Sequence, residues 1–227
     1  MRSDLPVTEL AENVYLLNEF DGTNCYLVVG SEKALLIDCG TGFCDIRGAA
    51  EKLTDLPITL AATHGHGDHI GGAGQFEEIY IHRADCERLN KAQMSLLFRK
   101  AFLASNAPVK SHGFKTSDVK PGKYKAKIIP MDDGHIFDLG GKSVRVKHTP
   151  GHSRGSACYR IGAQAFFSGD TIVPGCAVIT RLRGGDAAVL GEQTVPFLRT
   201  LPPELTLYPG HGRCGMTLGE GLADIRW

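Results

Sequence analysis

The sequence predicts an α/β (α+β) protein of four layers, in which two β-sheets pack face to face and helices cover their outer faces (αββα). Two observations lead to this prediction. Short apolar runs typical of strands fall into two groups, and each group includes a helix-compatible segment and a strand that ends in a histidine-containing turn. No shift in composition divides the 227 residues, so we expect one domain spanning residues 1–227.

The first group of strands begins near the N-terminus. Apolar runs at Val14–Leu17, Cys25–Val29 and Ala34–Ile37 are separated by the turn-forming sequences FDGTN and GSEK, and this pattern predicts a meander with tight turns. Asp45–Leu53 is compatible with a helix, and Ile58–Ala62 predicts another buried strand. This last strand runs directly into a cluster of histidines.

A long connecting region follows the histidine cluster. Ile70–Phe76 predicts a glycine-rich helix, and Ile79–His82 predicts a strand. Ala84–Ala104 then carries apolar residues at helical spacing, and a lysine-rich connection covers residues 108–125. We expect an insertion at about residues 84–125 that forms a lid or a wall of the substrate site. An ordinary helix packed on the sandwich, followed by a solvated loop, is the alternative.

The second group of strands occupies the C-terminal part of the chain. Its predicted elements are strands at Ala126–Ile129, Ser143–His148, Ala157–Ile161 and Ala165–Ser168, a helix at Ala187–Thr200 and a final strand at Leu205–Tyr208. Two similar turns, TPGH at residues 149–152 and YPGH at residues 208–211, belong to this group. Pro-Gly forces a turn at a strand end, so each histidine is expected to project into a common cleft.

Composition argues against several classes of function. Basic and acidic residues number 25 each, so bulk charge gives no reason to expect a nucleic-acid partner. The N-terminus MRSDLPVTEL lacks the pattern of a secretory signal, and no apolar stretch reaches the roughly 18 residues that span a bilayer. The seven scattered cysteines match no disulfide framework. We therefore expect a cytoplasmic protein with a small-molecule substrate and no membrane partner, and a homodimer is left open.

The segment THGHGDHIGG at residues 63–72 carries the strongest chemical signal. Written as a pattern it is HxHxDH, formed by His64, His66, Asp68 and His69. His64 and His66 are two residues apart on extended backbone, so they point to the same side and can bind one metal ion together. Asp68 and His69 follow a glycine and can turn towards a second metal. Imidazole suits zinc or iron, and a carboxylate helps to hold a hydroxide-bearing ion.

Two metal ions need more than these four ligands. His152 and His211 each lie in a Pro-Gly-His turn, where they supply the right side chain at a strand end. Asp170, in the sequence SGDT, can bridge the two metals. Asp38 closes the apolar strand ALLID, and we predict that it orients a ligand histidine and does not bind metal itself.

Five ordered motifs, LLIDCG, THGHGDHIGG, HTPGHSRGS, SGDT and YPGHG, resemble those of the metallo-β-lactamase-fold superfamily and cover about residues 14–220. The resemblance implies an αββα sandwich with a dinuclear site at one edge. Carried over by position, it implies one metal held by His64, His66 and His152, another held by Asp68, His69 and His211, and a bridge formed by Asp170. The HxHxDH form with a bridging aspartate is similar to that of glyoxalase II and its relatives.

The resemblance also implies a metal-dependent hydrolase. Two zinc ions per chain are expected, with iron or manganese as alternatives, and a bridging hydroxide would attack a small ester, thioester or lactone. Asp68 is expected to act as a catalytic residue that assists departure of the leaving group, besides being a ligand. A mono-iron persulfide or sulfur dioxygenase on the same scaffold is the alternative reaction. A non-catalytic metal-binding module is a third hypothesis.

Overall fold

A computed structural model describes most of the chain, namely residues 1–20, 22–87, 89, 100, 104, 112–120 and 123–227. The strands of these residues form two sheets, as predicted. None of the helices among them is both long and apolar enough to cross a membrane. Most of the predicted helix at 84–104, and much of the proposed lid, lie outside the described residues, so the lid stays a prediction.

The first sheet contains seven strands that are adjacent in chain order. They are β1 (Val7–Ala11), β2 (Val14–Asn18), β3 (Asn24–Val29), β4 (Ala34–Ile37), β5 (Ile58–Ala61), β6 (Glu78–His82) and β7 (Lys127–Met131). The first four strands pair antiparallel, whereas β4, β5, β6 and β7 run parallel. The carboxyl ends of β4, β5 and β6 therefore lie along one edge of this sheet.

The second sheet is built from the C-terminal part of the chain. Its strands are β8 (Ile136–Asp138), β9 (Ser143–His148), β10 (Ala157–Ile161), β11 (Ala165–Gly169), β12 (Thr206–Pro209) and β13 (Met216–Thr217), in the spatial order β13-β12-β11-β10-β9-β8. Only β11 and β12 among these pair in parallel. Their carboxyl ends consequently meet at a single edge, which is where SGDT and YPGH are found.

The helices of the described residues are short. They are α1 (Ile46–Glu51), α2 (Gly67–Ile70), α3 (Ala187–Val189), α4 (Val195–Leu198) and α5 (Leu218–Asp224). A π-helical segment, Leu190–Thr194, joins α3 to α4, so the predicted helix at 187–200 is present but contains a widened turn. Two 3-10 turns, Ala73–Gln75 and Arg83–Asp85, flank β6.

Three apolar clusters fill the spaces between the four layers, and side-chain alternation decides which strand residue enters which cluster. In β3, Leu27 packs in an outer cluster together with Ile46 of α1, whereas Val28 enters the core between the sheets. In β10, Tyr159 enters the same inter-sheet core, whereas Cys158 faces a third cluster that includes residues of α4 and α5. The predicted αββα architecture is thus confirmed.

One predicted element is wrong in its position. The helix expected at Ile70–Phe76 begins earlier, as α2, and ends at Ile70. Backbone groups at this end bond to the loop after β4 instead of continuing the helix: the amide of Gly72 donates to the carbonyl oxygen of Gly40 at 3.3 Å, and the amide of Cys39 donates to that of His69 at 2.8 Å. This close approach requires glycine, because a Cβ atom on Gly71 would lie 2.2 Å from the carbonyl oxygen of Thr41. The short elements β1, β8, β13 and α5 were not predicted.

Candidate metal centre

Both sheets deliver the predicted site residues to one edge of the sandwich. In the first sheet, Asp38 follows β4 and His64 comes three residues after β5. In the second sheet, Asp170 follows β11 directly and His211 lies two residues after β12. His152 is carried on the turn between β9 and β10. The edge is formed by the carboxyl ends of parallel strands, which is the usual ligand-binding edge of such sheets.

The α2 helix places the rest of the HxHxDH motif. His66 is its N-cap residue with an extended backbone, and Asp68 and His69 lie in its single turn. The change from extended to helical backbone turns Asp68 and His69 away from the direction taken by His64 and His66. Four neighbouring residues can therefore serve two separate positions.

Three imidazoles converge in the first of these positions. His64 Nε2 lies 3.0 Å from His66 Nδ1 and 3.2 Å from His152 Nε2. His66 Nδ1 lies 2.8 Å from His152 Nε2. Nitrogen ligands about 2.0–2.1 Å from a tetrahedral zinc ion are separated by roughly 3.3 Å, so the three atoms have nearly the spacing that one zinc ion requires. We call these residues the first triad.

The second triad consists of Asp68, His69 and His211. His69 Nε2 and His211 Nε2 are 3.2 Å apart. The Oδ2 atom of Asp68 lies 3.8 Å from the former nitrogen and 3.5 Å from the latter. A nitrogen, nitrogen and oxygen donor set of this kind suits zinc and also iron.

Asp170 stands between the two triads. Its Oδ2 atom lies 3.4 Å from His152 Nε2 and 4.0 Å from His64 Nε2, in the first triad. Its Oδ1 atom lies 3.2 Å from His69 Nε2 and 3.4 Å from His211 Nε2, in the second. One carboxylate oxygen therefore faces each triad, which is the placement that a bridging ligand needs.

Hydrogen bonds on the outer side of three histidines select the nitrogen that faces the centre. His69 Nδ1 is 2.8 Å from Asp38 Oδ2, and His211 Nδ1 is 3.1 Å from the carbonyl oxygen of Gly22. His64 Nδ1 is 3.0 Å from the hydroxyl of Thr63, which itself donates to Asp38. An imidazole that donates from Nδ1 turns Nε2 towards the centre, where Nε2 can bind a metal once it has lost its own proton, as in metal-binding histidines.

The two triads differ in their affinity for positive charge. Burial, together with neighbouring His69, lowers the pKa of His64 well below its usual value. Burial has the same effect on His69, but the carboxylates of Asp170, Asp38 and Asp68 outweigh it and raise the pKa of His69 well above the usual range. Hydrogen bonds to Asp170 and Asp68 likewise overcome burial and raise the pKa of His211 to about 10. His69 and His211 thus hold protons at neutral pH in the metal-free protein, and a metal ion at the second triad would displace them.

The histidines of the second triad in turn lower the pKa values of the carboxylates of the centre. Burial alone would raise the pKa of Asp68, but the attraction of His69 and a hydrogen bond from His211 bring it down to about 2. The pKa of Asp170 is held well below its usual value in the same way, with His69 the main opponent of burial. Both carboxylates are ionised at neutral pH, so they are in the state in which carboxylates bind metals.

Several residues that support this edge were not identified from the sequence. The carboxylate of Glu19, which is buried, accepts hydrogen bonds from the amides of Thr41, Phe43 and Cys44 and so holds the loop that follows Asp38. A lone glutamate at the end of a strand carries no sequence signal for this role, because its partners are more than twenty residues away.

Two buried side chains of β3 hold the turn that carries His211. The amide group of Asn24 donates to the carbonyl oxygens of Pro209 and Gly212, both at 3.0 Å. The hydroxyl of Tyr26 also donates to Pro209, at 2.6 Å. The second triad therefore depends on the first sheet for the position of a ligand that belongs to the second sheet.

The fold and the paired triads are those of a known class of proteins. A family model for the metallo-beta-lactamase superfamily matches residues 18–211. The chain belongs to the metallo-beta-lactamase superfamily, which confirms the resemblance seen in the motifs.

Individual relatives differ in what their names state. The acyl-coenzyme A thioesterase MBLAC2 of Homo sapiens is 31% identical over 171 residues, which are 68% of this chain and 60% of that protein's length. The probable polyketide biosynthesis zinc-dependent hydrolase BaeB of Bacillus velezensis is 26% identical over 191 residues, which are 82% of this chain and 72% of that protein. The solved structure of TTHA1623 in a di-iron-bound form is 29% identical, with a TM-score of 0.65, covering 89% of this chain and 93% of that one.

Proposed function

We propose that this protein is a dinuclear zinc hydrolase that cleaves a small ester, thioester or lactone, with thioesters the favoured class. The observation that carries the proposal is the pair of complete triads joined by one carboxylate, Asp170. Family membership supports hydrolysis in general, and a relative named as an acyl-coenzyme A thioesterase supports the thioester. Zinc is favoured by the histidine-rich donor set and by a relative named as zinc-dependent.

In this proposal the first triad would hold one metal, the second triad would hold the other, and Asp170 would bridge them. The spacing of the donor atoms and the outward hydrogen bonds of His64, His69 and His211 support the assignment. Bound zinc supplies a hydroxide nucleophile at neutral pH and polarises the carbonyl group of the substrate. Asp38 orients His69 and does not enter the centre.

Asp68 has a further role in the proposed reaction. Its side chain is 35% exposed, compared with 14% for Asp170, so it is the carboxylate of the centre that substrate reaches more easily. Its low pKa keeps it ionised at neutral pH, and we propose that it assists departure of the leaving group by helping to hold the metal ion that would stabilise the departing anion.

Metal analysis combined with activity assays tests the proposal. The protein is purified without added metal, its zinc, iron and manganese contents are measured, and it is assayed with an acyl-coenzyme A thioester, a glutathione thioester and a lactone. About two zinc ions per chain and hydrolysis of at least one substrate are expected. His66→Ala, which removes a ligand of the first triad, is the inactive control.

The alternative is a mono-iron persulfide or sulfur dioxygenase, and similarity to a structure in a di-iron-bound form is the observation that keeps iron in view. One iron per chain with oxygen uptake on glutathione persulfide, and no hydrolysis, would overturn the hydrolase proposal. The glyoxalase-II-like branch, the cytoplasmic location and the homodimer stay predictions of the sequence.

A further inference from the structure

A buried carboxylate outside the two triads links the two loops that carry the first triad. Asp85 ends the 3-10 turn after β6, and only 1% of it is exposed. Its Oδ2 atom accepts hydrogen bonds from the amide of Gly65 at 2.9 Å and from the hydroxyl of Ser153 at 2.7 Å. Its Oδ1 atom accepts one from the amide of Gly155 at 3.0 Å. All three donors are uncharged.

The positions of these donors relate Asp85 to the first triad. Gly65 lies between His64 and His66, and Ser153 follows His152. The carboxylate of Asp85 is therefore hydrogen-bonded to residues that adjoin His64, His66 and His152 in the sequence. The two loops that carry these ligands come from different sheets. A buried carboxylate destabilises the folded state unless its oxygens are hydrogen-bonded. The folded state therefore favours positions of both loops in which they donate hydrogen bonds to Asp85.

Close packing around Asp85 leaves little room for another arrangement. A Cβ atom on Gly155 would lie 2.7 Å from the Cβ atom of Asp85, so the loop after His152 approaches it as nearly as a glycine allows. The hydroxyl of Ser156 accepts from the amide of Ser153 at 2.9 Å and lies 2.8 Å from its hydroxyl. The loop thus closes on itself while it holds the carboxylate.

We propose that Asp85 is a positioning residue that keeps His64, His66 and His152 at the spacing required by one metal ion, so that loss of its carboxylate weakens that metal site selectively. This inference rests on the proposed metal function. Partners that orient metal ligands typically change metal affinity by about 10–100-fold when they are lost. The second triad is held instead by Asp38 and by the Asn24 contacts.

Variants that keep only one intact triad test whether Asp85 acts selectively on the first triad. His211→Ala leaves the first triad intact, and His66→Ala leaves the second triad intact. Asp85→Asn, which keeps the volume of the side chain but removes one acceptor oxygen, is added to each. Cobalt(II) binding to metal-free protein is titrated by visible absorption, and thermal unfolding of the metal-free variants is measured in parallel.

We expect Asp85→Asn to weaken cobalt binding about 10–100-fold in the His211→Ala background and less than about threefold in the His66→Ala background. Asn24→Ala should show the opposite selectivity, because it loosens the turn of His211. If Asp85→Asn does not fold, Ser153→Ala removes one of the three hydrogen bonds and should weaken the same site several-fold.

Equal weakening in both backgrounds, or no weakening in either, would overturn the positioning role, since a purely structural residue affects both sites alike. Failure of the unmodified protein to bind cobalt would overturn the proposed metal function, and the role of Asp85 with it. Cobalt binding that is indifferent to both Asp85→Asn and Ser153→Ala would overturn the role of Asp85 alone.

Discussion

Two histidines at the centre use one ring nitrogen to bond to the protein and the other to face the centre. His69 and His211 each use Nδ1 to reach a fixed oxygen of the protein and present Nε2 to the centre. The ring cannot rotate without losing that outer hydrogen bond, so the direction of Nε2 is set before any metal arrives, and metal binding would release the proton that Nε2 carries. Preorganisation of this kind explains how a short glycine-rich segment can hold ligands accurately.

Asp170→Ala tests the bridge. It removes the carboxylate that faces both triads, so we expect metal content to fall below two per chain and turnover to fall by about 100-fold or more, equivalent to about 3 kcal/mol or more of lost transition-state stabilisation. Atomic absorption and initial rates measure the two effects. Asp55→Ala, at an exposed position, is the control and should leave both unchanged. Full occupancy and a normal rate in Asp170→Ala would refute a bridging role.

Asp38→Asn tests the support of His69. The asparagine side chain has one acceptor oxygen, so it cannot accept from the His69 imidazole and from both Thr63 donors as the carboxylate does. We therefore expect the metal at the second triad to bind about 10–100-fold more weakly. Competition with a chromophoric chelator measures the affinity. Asp45→Asn is the matched control, because Asp45 caps α1 by accepting from the amide of Gly48. Identical affinities in the two variants would contradict the assigned role of Asp38.

Sequence reasoning at this scale predicted the side chains that the structure brings together at the candidate centre, but not those that hold them. His64, His66, Asp68 and His69 stand in an unusual local pattern, so their chemistry is visible without a structure. Asp85 and Glu19 act on main-chain groups that are distant in sequence, and any acidic residue can do this. Their importance follows from burial and from three-dimensional neighbours, which no local pattern encodes.

Secondary-structure elements approach each other closely where β11 of the second sheet ends beside the residues that follow β5 of the first. Gly169 has a φ of +50°, and a Cβ atom there would lie 2.6 Å from the hydroxyl oxygen of Thr63. Thr63 in turn contacts Asp38 and the Nδ1 atom of His64. The end of β11 thus positions Asp170. It also leaves little space around Thr63, which contacts His64 directly and supports His69 through Asp38.

We therefore expect Gly169→Ala to lower the stability of the fold through backbone strain and also to weaken metal binding. The left-handed conformation alone costs an alanine about 1–2 kcal/mol, and displacement of Thr63 should add a loss of metal affinity. Gly162→Ala is the control, because Gly162 has a φ of +46° but a Cβ atom there would have none of the described residues within 4 Å. Thermal unfolding and zinc titration compare the two. Similar metal affinities in both variants would show that the contact with Thr63 is unimportant.

Element prediction succeeded where apolar runs were long enough to be buried on both faces. Every residue of β3 and β4 is buried, and both strands were predicted from their composition. The edge strand β1 is mostly exposed and contains polar residues, so its pattern resembles that of a loop. The end of α2 is bonded to the loop after β4 through the amide of Gly72 and the carbonyl oxygen of His69, and local propensity does not report such contacts.

The whole molecule should depend on its metals for stability, because the ligands come from both sheets. A ligand at about 1,000 times its dissociation constant stabilises the folded state by about 4 kcal/mol, which corresponds to about 10 °C in a protein of this size. We expect a strong chelator to lower the melting temperature by this order and added zinc to restore it. Calcium, which prefers oxygen ligands, is the control and should not restore it. An unchanged melting temperature after complete metal removal would contradict this expectation.

The division of the centre between the sheets has a consequence for synthesis of the chain. His64, His66, Asp68 and His69 leave the ribosome long before His211, which is made 142 residues after His69. The first triad is completed by the loop with His152 and the second triad by the turn with His211, so residues of the first sheet complete neither triad alone. We therefore expect the second triad to be completed only after His211 has been synthesised, and a chain terminated between His152 and His211 to carry the residues of the first triad without those of a complete second triad.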